Sequence, residues 1–294
     1  MICILNIEIF DSVESTELPD GAFADHPQED GGPVGVCVRI LLTNDDGVYA
    51  PGLRALRKQL LKLGTVTVVA PATEQSGVGH SITILAPLVV EEVFEDSMHI
   101  GWLVEGSPAD CVKLACLELL DGPPDLVVSG INFGANAGIN VLYSGTVAAA
   151  VEGAFFGLRS VAISLEYSEH ANFDHAASLG LRVISQILEH EPQPGTLFNV
   201  NLPELRGGDP AGIRVVPQGV VRYQEGFERR VDPRGRVYFW SKIDFVPRPH
   251  EGETDLTALD SRYITITPLR FDLTDRAMLD QMSQWRWQLQ ESLS

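Results

Sequence analysis

The sequence predicts an α/β protein built on a mostly parallel sheet. Three observations carry that expectation. From Val38 onward, short β-branched runs alternate with amphipathic segments of 3.6-residue period, the pattern of βαβ units. The stretches rich in glycine, asparagine and hydroxyls follow predicted strands and open toward predicted helices. Lastly, the apolar run Arg39-Ile40-Leu41-Leu42-Thr43 ends abruptly in Asn44-Asp45-Asp46-Gly47, which puts two adjacent carboxylates at the C-terminal mouth of the first strand. In open α/β sheets that is where ligands bind.

Taken in order, residues 1 to about 37 read as an acidic, disordered extension. They carry Glu8, Asp11, Glu14, Glu17, Asp20, Asp25, Glu29 and Asp30, and no Lys or Arg occurs before Arg39. Gly31-Gly32-Pro33 breaks this segment before the first strand, 38–43. Pro51 opens a helical pattern over 51–63, and a second strand follows at 65–70. Residues 82–104 look like extended hairpin material, ahead of a helix at 107–119. Strands at 125–129, 160–165 and 196–201 then alternate with helices at 144–157 and 173–190. After about 217 the texture changes. Val220–Phe227 and Arg236–Phe245 flank the turn signal Asp232-Pro233-Arg234-Gly235, which predicts a β-hairpin arm. A strand at 262–267 and a helix near 274–291 complete the chain. The expected division is an extension (1–37), an α/β core (38–217), and a hairpin arm with terminal helix (218–294).

Composition narrows the function classes. With 294 residues and 45% hydrophobic content the chain can bury a full core. No apolar run is long enough to span a membrane, and the first ten residues lack a basic n-region, so neither a membrane span nor a signal peptide is expected. Cys3, Cys37, Cys111 and Cys116 form no CxxC, which indicates neither a zinc box nor a disulfide framework and points to a reducing, cytoplasmic setting. Forty acidic against 21 basic residues leave a formal net charge of −19, a poor match for a protein that tracks duplex nucleic acid. A small anionic ligand remains compatible, because metal ions and backbone N–H groups bind anions without a basic surface.

Four stretches carry the candidate chemistry. Past the strand end, Asp45 and Asp46 are released from strand alternation and can converge; two carboxylates so placed suit a hard divalent cation, although a plain turn capped by Asn44 and Asp45 is the bland alternative. The loop Ala70–Ser81, which includes Ser76 and His80, leaves the second strand at the same mouth. After Leu126–Ser129, asparagine and glycine alternate as Asn132, Gly134, Asn136, Gly138 and Asn140, offering left-handed backbone, anion-binding nests and neutral oxygen ligands. Tyr143-Ser144-Gly145-Thr146 opens a helix whose N-terminus suits a phosphate or, more simply, a serine cap. GxxxxGK[ST] is absent, and the first strand does not lead into GxGxxG, so neither a Walker loop nor a dinucleotide fingerprint is present. Ligation by oxygen alone selects Mg²⁺, Mn²⁺ or Ca²⁺ over zinc.

Together these residues resemble the SurE family of stationary-phase survival proteins, the divalent-metal-dependent 5′/3′-nucleotidases. The likeness runs from about Arg39 to Leu269. It includes TNDDG (43–47), the SGVGHSIT block ending at 83, GSPADCVKLA (106–115), SGINFGANAG (129–138), YSGTVAAAVEG (143–153), QEGFERRVDPRGRVYFW (224–240) and YITITPL (263–269). The resemblance implies a Rossmann-like three-layer core, with a C-terminal hairpin arm exchanged between subunits to give a homodimer or homotetramer. It implies one Mn²⁺ or Mg²⁺ per subunit on Asp45, Asp46, Ser76 and Asn132, and phosphate contacts at Asn136, Ser144, Gly145 and Thr146. The implied reaction is hydrolysis of nucleoside monophosphates, with Asp45, Asp46, Asn136, Ser144 and Thr146 as the catalytic set and His80 a candidate for proton transfer. Asn140 departs from the pattern, where aspartate is common, and the extension before residue 38 lies outside it. Direct attack by water and a phosphoenzyme on Asp45 both stay open. So do a non-catalytic nucleotide-binding protein of the same fold and an oligomeric scaffold. Aspartyl-phosphate phosphatases fit less well, since their two acids are separated by one residue.

Overall fold

The computed structural model describes residues 38–220, 224–244 and 252–287; the acidic stretch 1–37 lies outside them. A nine-stranded sheet organises the chain. Its central strands are β1 (Val38–Thr43), β2 (Gly64–Pro71), β5 (Leu126–Phe133), β6 (Arg159–Leu165) and β7 (Leu197–Leu202), with β3 (Val90–Glu95) and β4 (Met98–Val104) at one edge. β8 (Gly212–Val215) and β11 (Tyr263–Leu269) close the other edge, and the spatial order is β3-β4-β2-β1-β5-β6-β7-β11-β8. From β4 through β7 every neighbour pair is parallel; β3 against β4 and β11 against β7 are antiparallel.

β1, β2 and β5 are apolar on both faces, which is what a parallel sheet covered on two sides requires. Ile40 and Leu42 face one core, Leu41 the other; Leu126 and Val128 against Val127, and Val68 and Ala70 against Val69, repeat the alternation. Helices α1 (Pro51–Leu60) and α4 (Phe173–Glu189) pack together on the first face, α2 (Pro108–Leu114) and α3 (Gly145–Phe155) on the second. Leu56, Leu60 and Ile184 are fully buried in the first core.

The strand order reverses direction at β1. The chain goes from β1 to β2 and β4 on one side, then crosses to β5 on the other. A crevice therefore opens beyond the carboxyl ends of β1 and β5, the switch point at which such sheets bind ligands.

The core strands and helices lie within a few residues of the expected spans. The differences are local and have physical causes. In 82–104 only β3 and β4 form strands, paired across a two-residue turn at Asp96 and Ser97, both at positive φ. The 107–119 helix is α-helical only to Leu114 and finishes as a π-turn over Ala115–Leu119. In the C-terminal hairpin, β9 (Gln224–Val231) and β10 (Val237–Asp244) pair directly around Asp232–Arg236, so the first strand runs four residues past its expected end at Phe227, while residues 221–223 and 245 of the expected strands lie outside the described residues. Asp232 sets that register: its carboxylate accepts from the N–H groups of Arg234 (2.8 Å) and Arg236 (2.9 Å). The last helix, α6 (Arg276–Ser283), is shorter than expected. Two short elements, β8 and α5 (Asp255–Asp260), were not anticipated. β11 and α5 come from the C-terminal part of the chain, yet β11 joins the main sheet and α5 packs on it.

Candidate active site

The turn after β1 is held by Asn44, whose fully buried amide donates to the Gly47 carbonyl (2.9 Å) and accepts from the Gly47 N–H (3.2 Å). Gly47 has φ +99°, which only glycine adopts without strain. Asn44 thus performs the turn-capping role, and both aspartates are free of it. Asp45 is 5% exposed and points at the start of α3, where its Oδ1 accepts from the Thr146 hydroxyl. Gly145 makes this approach possible: a Cβ there would lie 2.8 Å from the Asp45 Cβ and 3.1 Å from its Oδ2. Asp46 points toward the end of β5, its Oδ2 accepting from the Phe133 N–H at 3.3 Å.

Among the described residues, neither aspartate is paired with a Lys, Arg or His. Burial raises the pKa of Asp45, partly offset by the hydrogen bonds of Thr146. Burial, and then the charge of Asp45, push Asp46 up to about 6. Two half-sequestered carboxylates with no counter-charge are a place that a cation stabilises. The neighbouring oxygens match. The second loop is tied to the first by Gln75 N–H donating to the Asp45 carbonyl (2.8 Å), and Ser76 lines the same pocket. The Ser76 hydroxyl donates to Glu74, which leaves its lone pairs available to a cation. Asn132 is the penultimate residue of β5, just past an irregularity in the β5–β6 pairing that falls between Ser129 and Asn132. Its Nδ2 donates to the Gly134 carbonyl (2.7 Å), so its Oδ1 is the free acceptor. No group of three or more His, Cys, Asp or Glu side chains placed to hold a metal occurs among the described residues. The donor set of Asp45, Asp46, Ser76 and Asn132 is oxygen only, and fits a hard divalent cation rather than zinc.

These side chains open into one pocket of about 870 Å³, which Asn136 and Ser144 also line. Asn136 is fastened by three neighbours: its N–H donates to Asn201 Oδ1 (2.8 Å), its carbonyl accepts from Asn199 Nδ2 (2.8 Å), and its own Nδ2 donates to Ser164 Oγ (2.9 Å). Ser144 caps α3, its Oγ accepting from Val147 N–H (3.0 Å), and the hydroxyl proton is left for a ligand. The start of α3 therefore faces the acid pair with a partial positive charge.

The sequence profile described as "Survival protein SurE" matches residues 40–225. The chain belongs to the SurE family. It is 56% identical to the 5′-nucleotidase SurE of Rhodopirellula baltica over 249 residues, covering 84% of this chain and 98% of that protein. It is 47% identical to the 5′-nucleotidase SurE of Desulforudis audaxviator, covering 84% and 97%. Its structure is similar to the crystal structure of the SurE protein from Aquifex aeolicus, with a TM-score of 0.73 and 38% identity over 83% of this chain and 98% of that one.

Within this SurE-family site, several residues stand apart from the sequence-based expectation. The Thr146 hydroxyl is fully buried on Asp45 and does not line the pocket, and Gly145 also lies against Asp45. His80 is not at the pocket; its Nε2 lies 2.7 Å from Glu152 of α3, on a carboxylate that Lys113 also approaches at 3.4 Å. Asn140 does line the pocket. The residues that fasten Asn136 went unpredicted, although a signal existed: Asn199 and Asn201 alternate within the apolar run Leu197–Leu202, so they share one face of a buried strand. Asp255 had no such signal. It is fully buried in α5 and accepts from the N–H groups of Gly138 (2.8 Å) and Gly219 (2.7 Å), clamping the asparagine–glycine loop to the C-terminal part of the chain.

Proposed function

We propose that this SurE-family chain is a divalent-cation-dependent phosphomonoesterase that hydrolyses nucleoside 5′-monophosphates, and 3′-monophosphates as an extension, to nucleoside and phosphate. The observation that carries the reading is the uncompensated pair Asp45–Asp46 at the sheet's switch point, beside Ser76, Asn132 and the start of α3. The relatives named 5′-nucleotidase SurE support the substrate class.

In this reading Asp45, Asp46, Ser76 and Asn132 hold one Mn²⁺ or Mg²⁺, which when bound polarises the phosphoryl group and makes a coordinated water more acidic. The protein's own groups do the remaining work. Asn136, locked by Ser164, Asn199 and Asn201, presents its amide to a phosphoryl oxygen at little cost in side-chain entropy. The Ser144 hydroxyl, at the positive end of α3, receives the charge of the equatorial oxygens. Thr146 and Gly145 act one layer back by fixing Asp45. A homodimer or homotetramer built through the hairpin arm is part of the reading, supported by exposed Phe227, Phe239 and Trp240 on β9 and β10. A cytoplasmic setting is also part of it, since Cys111 and Cys116 are free thiols.

The test is phosphate release from a panel of nucleoside monophosphates with Mn²⁺, with Mg²⁺ and with EDTA, on the wild type and on Asp45→Asn and Asp46→Asn. Release that needs the cation and vanishes in both variants is expected. Undiminished release in EDTA overturns the metal assignment. Nucleotide binding without release would favour a binding protein of the same fold.

A further inference from the structure

The pocket has an aromatic end that the chemistry of phosphate hydrolysis leaves unused. Phe133 and Tyr167 line it, and their ring centroids lie 4.8 Å apart at an interplanar angle of 33°. Phe133 is 41% and Tyr167 65% exposed, so both rings offer π-surface to the pocket instead of to the core. They are also held in place. Phe133 ends β5 opposite Leu165 of β6, and Tyr167 follows two residues later on the adjacent strand exit. Phe173 at the start of α4, packed against the main core, braces Phe133 edge-on at 5.8 Å. The Phe133 backbone N–H is the group that donates to Asp46, so the aromatic surface begins one side chain away from the acid pair.

Charge around the pocket tells what kind of group goes there. Among the described residues its lining includes Asp45, Asp46, Glu74, Glu166 and Asp260, and no Lys, Arg or His. One phosphate carried with a cation is accommodated at Asp45 and Asp46. A second or third phosphate extending along the pocket would meet Glu166 and Asp260 without a counter-charge. The group at the aromatic end must instead be neutral and flat, and Leu256 and Leu259 of α5 add apolar lining to the same pocket. A nucleobase has that chemistry, and a purine offers a larger face than a pyrimidine.

We propose that Phe133 and Tyr167 are the nucleobase-stacking platform of this pocket, and that they make purine nucleoside monophosphates its preferred substrates over pyrimidine nucleotides and base-free sugar phosphates. This deepens the nucleotidase reading and rests on it for the position of the phosphate.

The experiment compares kcat/KM for adenosine 5′-monophosphate, cytidine 5′-monophosphate and ribose 5-phosphate in the full chain with Mn²⁺. The proteins are the wild type, Tyr167→Ala, Phe133→Ala and Phe133→Tyr. The ratio of kcat/KM for adenosine 5′-monophosphate to that for ribose 5-phosphate should fall about 5- to 150-fold in each alanine variant, the range expected for loss of one base-stacking contact. The fall should sit mainly in KM, and Phe133→Tyr should restore the ratio. An unchanged ratio, or equal losses on all three substrates, overturns the platform while leaving the nucleotidase reading intact. If the wild type releases phosphate from none of them, that reading fails instead. Calorimetric binding of adenosine 5′-monophosphate against ribose 5-phosphate to the same four proteins then decides the platform independently.

Discussion

Replacing Asp46 by Asn should stabilise the metal-free protein while removing its response to metal. Asp46 has its pKa raised from 3.8 to about 6, first by burial and then by the charge of Asp45. A carboxyl whose folded-state pKa lies above its unfolded value favours folding only while protonated. Its contribution is complete below about pH 4 and is lost as pH rises through 6, so at neutral pH the ionised group opposes folding. At 1.36 kcal/mol per unit, a rise of about 2 units corresponds to roughly 3 kcal/mol at face value, and partial exposure to water reduces this to about 1–2 kcal/mol. The asparagine keeps an oxygen for the Phe133 N–H, so no hydrogen bond is forfeited. With roughly 2–4 °C per kcal/mol for a domain of this size, the variant should melt about 2–8 °C above wild type in EDTA at pH 7.5. The gap should close as pH is lowered toward 4. Adding Mn²⁺ should reverse the order, because the cation binds only the folded state and needs both acids. Thermal melts in EDTA and in Mn²⁺ between pH 4 and 8 check this. A variant no more stable than wild type in EDTA at pH 7.5 would refute the view that the aspartates are held together against their own repulsion in readiness for a cation.

Two further substitutions probe the supports of the site. Gly145→Ala puts a Cβ 2.8 Å from the Asp45 Cβ and 3.1 Å from Pro108 Cγ. The helix gains up to about 1 kcal/mol of propensity and loses about 1–3 kcal/mol to overpacking, so stability should fall by no more than about 3 kcal/mol. Displacement of Asp45 should nonetheless lower kcat/KM roughly 100-fold; calorimetry beside steady-state kinetics reads both, and normal activity would count against Gly145 as the spacer for Asp45. Asp255→Asn turns one acceptor oxygen into a donor facing the Gly138 or Gly219 N–H, and the unsatisfied buried pair should cost about 1–3 kcal/mol by urea titration. Activity should fall with it, since the loop carrying Asn136 is released, and an unperturbed midpoint would remove Asp255 as the clamp.

What this chain's sequence determined by itself is whatever depends on near neighbours. The alternation of strand and helix was readable because β1, β2 and β5 are apolar on both faces and α1 and α4 each carry an apolar stripe. The acid pair, the asparagine–glycine run and the serine-capped helix were readable because each is a local departure from those periods, placed just after a strand. Tertiary structure alone decided how these pieces share the work. Asn44 and Asp45 are adjacent in sequence, yet one closes the turn and the other reaches α3, because Gly145 leaves room and Thr146 supplies a donor 101 positions away. His80 is drawn to Glu152 and away from the pocket. Asp255 holds Gly138 across 117 positions, from a six-residue helix too short to announce itself by periodicity. Phe133 and Tyr167 become one aromatic surface only because β5 and β6 pair side by side. Periodicity reports which face of an element is buried, whereas the partner of a buried polar group is chosen by the packing of elements distant in the chain.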